Sequence, residues 1–354
     1  MTDTLLVTST AAGSGKTAVA IALAELAADR GLRVGYMKPK GTRLRSREGR
    51  LRDEDPGLAR EVLDLADDLE DMSPITYSET FLREALRGRE RPPALRETLR
   101  TAHETIATDR DVVILEGARS VATGGVVDLA DPAMLDLLDA RAVVIDRYEG
   151  PERLDDLLWS LEPLRDRLEG VVFNHVDADR RDDLEAEVVP YLESRGIGTL
   201  GILPRERELA GIRIADLADD LGASVLTDAP TDAYVERFVV GAMGAEAALR
   251  HFRRTSDAVV ITGGDRPEIH AAALEAPGVR CLLLTGGYRP KDHVIATAER
   301  RDVPILTVSM DTLGALEQAE SILSEGRTRD AATVGRMREL LSAHADVDAL
   351  LGGE

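Results

Sequence analysis

Ser9-Thr10-Ala11-Ala12-Gly13-Ser14-Gly15-Lys16-Thr17 closes an apolar run, Thr4-Leu5-Leu6-Val7-Thr8, and opens a helical one, Ala18–Asp29. A strand, a glycine-rich turn and then a helix that starts near Lys-Thr follow the phosphate-loop pattern GxxxxGK[ST], with Thr10 where the first glycine usually stands. Small residues let successive backbone N–H groups curl around a phosphate, and the helix N-terminus adds about half a positive charge. The pattern therefore predicts that Ala12, Gly13, Ser14, Gly15, Lys16 and Thr17 cradle a nucleotide. Lys16 would reach the β- and γ-phosphates and the Thr17 hydroxyl would ligate Mg²⁺. An ordinary glycine-rich βα turn with a chance Lys-Thr would share the pattern.

Outward from the loop, apolar runs alternate with helical periodicity. Strands are expected at Leu5–Thr8, Val34–Met37, Val112–Leu115, Ala142–Ile145, Val171–Phe173 and Leu200–Leu203, with helical stretches such as Leu58–Leu65, Leu95–Thr108 and Leu154–Leu168 between them. This alternation reads as an α/β fold, a P-loop NTPase parallel sheet with helices on both faces. The charged segment Arg43–Asp55 reads as a mobile loop. The second strand ends in Lys38-Pro39-Lys40, where Lys38 can neutralise a γ-phosphate or a bound carboxylate. Mg²⁺ favours hard oxygen ligands. Asp53, Asp55 and Glu116, which ends the run Val112–Leu115, are the candidate acids, and the sequence does not choose between Asp53 and Asp55.

A boundary near Leu203–Ala210 divides the chain into residues 1–206 and a smaller α/β domain, 207–354. The second domain is expected to hold a helix at Ile214–Leu221, strands at Ser224–Leu226, Ala258–Ile261, Cys281–Leu284 and Pro304–Val308, and a closing helix at Ala331–Ala343. Within it, Thr262-Gly263-Gly264-Asp265-Arg266-Pro267-Glu268-Ile269-His270 is echoed by Thr285-Gly286-Gly287-Tyr288-Arg289-Pro290-Lys291-Asp292-His293, both reading TGGxRPxxH. Each follows a strand and precedes a helix. Gly264, Asp265, Arg266, Thr285, Gly286, Gly287 and Arg289 are thus candidates for a small anionic ligand at the sheet edge where open α/β sheets bind; ordinary turns with solvated arginines would share the pattern.

The 354 residues carry a net charge of −21, which repels phosphate backbones and argues against nucleic-acid partners. Of 44 basic residues only four are lysines, and three of them, Lys16, Lys38 and Lys40, fall within a stretch of 25. Arginine in place of lysine fits either adaptation to high salt or a GC-rich genome. The lone Cys281 excludes an intrachain disulfide framework and a cysteine zinc cluster. No run approaches a membrane span and no signal-type segment opens the chain, so a cytoplasmic location is expected.

The loop Thr8–Thr17, Tyr36-Met37-Lys38-Pro39, the Asp53 region, Val113–Ala118, Gly170–Asn174 and Leu200–Arg205 together resemble the dethiobiotin synthetase branch of P-loop proteins. That resemblance implies that Asn174 contacts the nucleotide base, that Lys16 and Lys38 act catalytically on phosphate, and that the molecule is a homo-oligomer. Arg119-Ser120 after Gly117-Ala118 departs from the family's diamine-substrate pocket. The second half, with Gly241-Ala242-Met243 and the two TGG turns, resembles a DRTGG domain. The pairing is similar to the N-terminal regulatory part of long phosphate acetyltransferases. Because the chain ends at Glu354, acetyl transfer by it alone is not expected. The expected function is an ATP-Mg²⁺-binding regulatory or sensor protein; the rival is an ATP-dependent carboxylate-activating enzyme of the dethiobiotin or cobyrinate amidation type. DNA-partitioning ATPases carry an additional lysine where this chain has Ala11.

Overall fold

Leu5, Leu6 and Val7 are successive residues of one strand, and all three are fully buried. Since neighbouring side chains on a strand point to opposite faces, this requires a sheet covered on both sides. The computed structural model describes residues 2–47, 50–325 and 330–352. Besides a short parallel pair, Lys40–Gly41 with Ile75–Thr76, its strands in the first half are β1 (Asp3–Ser9), β2 (Val34–Met37), a hairpin of β3 (Leu44–Arg47) and β4 (Arg50–Asp53), β5 (Val112–Glu116), β6 (Arg141–Arg147), β7 (Leu168–Val176) and β8 (Thr199–Pro204). Six of them form a sheet in the order β8-β7-β6-β1-β5-β2, all parallel. Helix α1 (Lys16–Asp29) follows β1 directly. Its almost wholly apolar sequence, Ala18 to Ala24, is buried on every side.

The chain divides into two compact units, Met1–Glu206 with Thr328–Glu354, and Arg207–Arg327. The closing helix α11 (Ala331–His344) therefore belongs with the first unit, not the second as its sequence position suggested. The physical reason is its apolar stripe, Val334, Met337, Leu340 and Leu341, which is buried beside α1 and β8. Arg338 pairs with Asp29 at 3.0 Å, and the Asp346 N–H donates to the Leu200 carbonyl at 2.7 Å.

Arg43–Asp55, expected as a mobile loop, is instead mostly the antiparallel β3–β4 hairpin, leading into α2 (Asp55–Val62). Residues 48 and 49 of that expectation lie outside the described residues. Alternating arginines hide the strand period, because the usual apolar alternation is absent.

The second unit holds a five-stranded sheet in the order β9-β13-β12-β11-β10, with β9 (Ser224–Val225), β10 (Arg237–Val240), β11 (Ala258–Gly263), β12 (Val279–Thr285) and β13 (Ile305–Thr307). Only β9 runs antiparallel. Alternation along the strands builds two cores. Ala258, Val260, Leu282 and Leu284 pack with Phe252 and Ile269 on one face, whereas Val259, Ile261, Cys281 and Leu283 pack with Leu217 and Ala319 on the other. Helix α8 (Pro267–Glu275) follows β11 and α9 (Asp292–Glu299) follows β12.

Candidate phosphate site and its charge cluster

The loop after β1 lies at the carboxyl edge of the parallel sheet. Gly15 sits in the left-handed region at φ 90°, and a Cβ there would run into the Asn174 carboxamide. Only glycine serves at that position. Asn174, at the end of β7, donates from Nδ2 to the Ser14 carbonyl at 2.9 Å and accepts the His175 N–H at 2.9 Å. It is buried against the loop, bracing it from beneath.

Thr10, standing where the pattern has its first glycine, donates its hydroxyl to the Asp146 carboxylate at the end of β6. Thr10 is absent from the positive-φ residues, so the position needs no glycine here and a side-chain bond holds the turn. Asp146 is buried, and burial pushes its carboxyl above the usual range, opposed by the Thr10 hydrogen bond.

Lys16 is buried, with Nζ 2.7 Å from Ser9 Oγ and 3.5 Å from the carbonyls of Ala11 and Arg119. Burial pushes its ammonium down to about 8, with Glu116 pulling the other way. Thr17 Oγ1 donates to Glu116 Oε1 at 2.6 Å and lies 3.4 Å from Asp55 Oδ2. Tyr36, fully buried on β2, donates its hydroxyl to the other Glu116 oxygen.

Lys38 is the hub of the acids. Its Nζ lies 3.2 Å from Asp53 and 3.3 Å from Glu116, and it donates to Asp55. Burial works against its charge, but Asp55, Glu116 and Asp53 outweigh it and hold the ammonium above its ordinary range. Arg43 reaches Asp55 Oδ1 at 3.0 Å. Burial raises the Glu116 and Asp53 carboxyls. For Asp55 burial acts the same way, but Lys38 and Arg43 overcome it and the net direction is downward. Asp53 and Asp55, which the sequence could not rank, thus share one cation. Asp53 also accepts N–H bonds from Thr42 at 2.7 Å, Arg43 at 2.9 Å and Asp55 at 2.9 Å. Asp55 is the one near Thr17.

The third clustered lysine has a separate task. Lys40 Nζ donates to the carbonyls of Thr123 at 2.6 Å and Leu129 at 2.7 Å, and to Asp131 at 3.0 Å. Thr8 donates to the other Asp131 oxygen. The pair ties the segment after Glu116 to the strand that enters the phosphate loop. Sequence reading missed Asp131, Asp146 and Thr8, because their partners lie far along the chain.

Hard oxygen donors at Thr17 and Glu116, with Asp55 beside them, suit Mg²⁺, which takes few protein ligands and keeps waters and phosphate oxygens. Among the described residues no group of three or more His, Cys, Asp or Glu side chains is arranged to hold a metal by itself.

In the second unit the two TGG turns differ. Gly286 and Gly287 are left-handed at φ 82° and 72°, whereas Gly263 and Gly264 are not. Arg266 immediately precedes α8 and donates to the carbonyls of Gly241 at 2.7 Å and Met243 at 3.0 Å. Arg289 lies three residues before α9, is exposed, and has no partner among the described residues. Thr285 donates toward the Thr262 carbonyl at 3.4 Å, and Asp265 is exposed. His270 is buried with Nε2 2.9 Å from the Gly263 carbonyl, whereas His293 is exposed. Burial lowers the His270 pKa.

Residues 3–213 match the AAA domain family and residues 216–322 the DRTGG domain. Phosphate acetyltransferase of Haemophilus influenzae is 24% identical over 98% of this chain and 52% of its own length. The chain thus spans about half the length of the phosphate acetyltransferases it matches. ATP-dependent dethiobiotin synthetase BioD of Methanocaldococcus jannaschii is 30% identical over 48% of this chain and 78% of its own length. Among solved structures, the MinD cell division protein of Aquifex aeolicus aligns over 58% of this chain and 84% of its own at 16% identity and a TM-score of 0.37. No helix among the described residues is long and apolar enough to cross a membrane.

Proposed function

The chain belongs to the AAA domain family, with a dethiobiotin-synthetase-like P-loop domain followed by a DRTGG domain, and from that premise we propose that it is an ATP-Mg²⁺-binding regulatory or sensor protein. The observation that carries this reading is the meeting of Lys16, Thr17, Lys38 and Glu116 at one sheet edge, with Thr17 Oγ1 2.6 Å from Glu116 and Lys38 Nζ 3.3 Å from the same carboxylate. Lys16 would hold the β- and γ-phosphates and Lys38 the γ-phosphate. Thr17 and Glu116, with Asp55 and Asp53 behind them, would hold or orient Mg²⁺. Asn174 would meet the base through the amide hydrogen not given to Ser14. The DRTGG domain would take a small anionic ligand at the edge that carries Arg289, Gly286 and Gly287. The likeness of nearly the whole chain to about half of two phosphate acetyltransferases supports a regulatory place beside metabolic acyl or phosphoryl chemistry.

Isothermal titration of the full chain with ATP and Mg²⁺ tests the reading. Lys16→Ala is expected to lower affinity at least about a hundredfold, since a charge-assisted contact to phosphate is lost, while the melting profile is unchanged. Unaltered affinity in a folded variant overturns it. The BioD relative favours one rival, activation of a carboxylate or carbamate by phosphoryl transfer. ATP turnover that depends on an added small carboxylate or diamine would move the assignment to that enzyme class.

A further inference from the structure

Among the described residues seven that are not glycine have positive φ. Six are aspartates in turns and bends, where a short polar side chain tolerates the left-handed region. The seventh is His175, at φ 58°, and it lies inside strand β7. It is also buried, at 5% exposure. Such a backbone costs free energy and persists only where the surrounding structure imposes it, which is commonest at functional sites.

The strand ladder shows what imposes it. β8 pairs Ile202 with Phe173 and then Pro204 with Val176. One residue of β8, Leu203, therefore stands opposite two of β7, Asn174 and His175, which is a β-bulge. Bulges are rare in parallel pairs and recur beside active sites, where they re-aim a side chain. Neighbours on a regular strand point to opposite faces. Here the bulge brings both side chains to the phosphate loop: a Cβ on Gly15 would run into Asn174 and would stand 3.9 Å from His175 Nε2.

The backbone of His175 has a second effect. Its N–H donates to Asn174 Oδ1 at 2.9 Å, so Nδ2 is the end of that amide that meets the Ser14 carbonyl, also at 2.9 Å. A chain of contacts thus runs from His175 through Asn174 to Ser14 and Gly15, which immediately precede Lys16. Ordinary packing of a buried imidazole needs neither the bulge nor the left-handed backbone.

We propose that His175 is a positioning residue of the nucleotide site. Its N–H sets the Asn174 amide and its imidazole backs Gly15, so the loop is held in its phosphate-binding shape before a ligand arrives. Preorganisation of this kind raises affinity by removing the ordering cost of binding. The proposal rests on the nucleotide reading of the loop.

The test compares the full chain with His175→Gly, which accepts φ 58° without strain and removes the imidazole. Without nucleotide, amide hydrogen exchange across Gly13–Thr17 is expected to quicken roughly tenfold, with exchange in β11 and β12 of the second unit unchanged. With ATP and Mg²⁺, affinity is expected to fall roughly tenfold. Asn174→Ala should cost a similar amount, and the double variant little more than either alone, because both act on the loop through one chain of contacts. Should His175→Gly fail to fold, His175→Asn, which tolerates the left-handed backbone, is expected to give the same pattern with a smaller, severalfold loss. Loop exchange unchanged from wild type, unaltered affinity in a folded variant, or losses that simply add to those of Asn174→Ala overturn the proposal. The exchange measurement uses no nucleotide, so it decides the role of His175 whatever the loop binds. A wild-type chain that does not bind ATP overturns the nucleotide reading instead.

Discussion

The phosphate loop of the first unit and the paired turns of the second follow one plan, a parallel strand, a turn that contains glycine, and then a helix. Their charges are arranged in opposite ways. Around Lys38 the cations and acids are buried and paired with each other, so a ligand entering there must exchange partners with side chains already engaged. At the second edge Arg289 is exposed and has no partner among the described residues, while Arg266 is fixed to two carbonyls of its own unit. The difference shows that a repeated sequence pattern sets the local turn, and that the neighbours brought by the fold decide what its arginine does.

The sharpest way to break this contrast is Lys38→Ala. It leaves Asp53, Asp55 and Glu116 buried, with Arg43 still paired to Asp55, and breaking such a buried pair costs about 3–5 kcal/mol. Urea unfolding should show that loss, with added Mg²⁺ restoring more stability to the variant than to wild type. An unchanged midpoint would mean the cluster is not internally paired in solution.

Next in size is the split between the two arginines. Arg266→Ala removes two charged hydrogen bonds to carbonyls and should destabilise the second unit by about 1.5–3 kcal/mol. Arg289→Ala should leave stability within about 0.5 kcal/mol. It should still weaken binding of acetyl phosphate or coenzyme A to the nucleotide-saturated chain by roughly tenfold. Equal melting shifts in the two variants would erase the distinction.

Glu116→Gln sharpens the first region alone. The amide keeps the shape and can still accept from Thr17, but it loses the charge that would orient Mg²⁺. ATP should bind with its Mg²⁺ dependence reduced by about tenfold. A full Mg²⁺ response in this variant places the metal elsewhere.

The smallest effect is in pH. Lys16 is held at about 8 in the fold, below its ordinary 10.5. The unfolded chain therefore binds the additional proton between those values, and this group makes stability rise with pH across that window. ATP, which needs the ammonium, should bind with proton uptake above about pH 8 and weaken about fourfold by pH 8.5. Titrations in buffers of different ionisation enthalpy read the uptake directly, and equal heats after correction would contradict it.

The loop from Ser9 to Thr17 was legible because its parts are contiguous: strand, glycines, lysine and helix follow one another. Glu116 and Lys38 were legible as strand ends. Asn174 was placed at the right edge, but the contact it makes is with the loop itself. The Thr10–Asp146 bond spans 136 residues, and the Lys40–Asp131 pair spans 91. No local period signals either, since they arise only when β1, β2 and β6 come to one edge. The β3–β4 hairpin was lost because its arginines mimic a solvated loop. The closing helix was assigned by sequence proximity, whereas burial of its apolar stripe decides where it belongs.

That last feature bears on synthesis. A ribosome delivers the whole second unit before the segment that completes the first. Until Ala331–His344 emerges, the faces of α1 and β8 that it covers stay open to water. The nascent chain can finish its later unit before its earlier one, and the unfinished face is where a folding helper would be needed while translation continues.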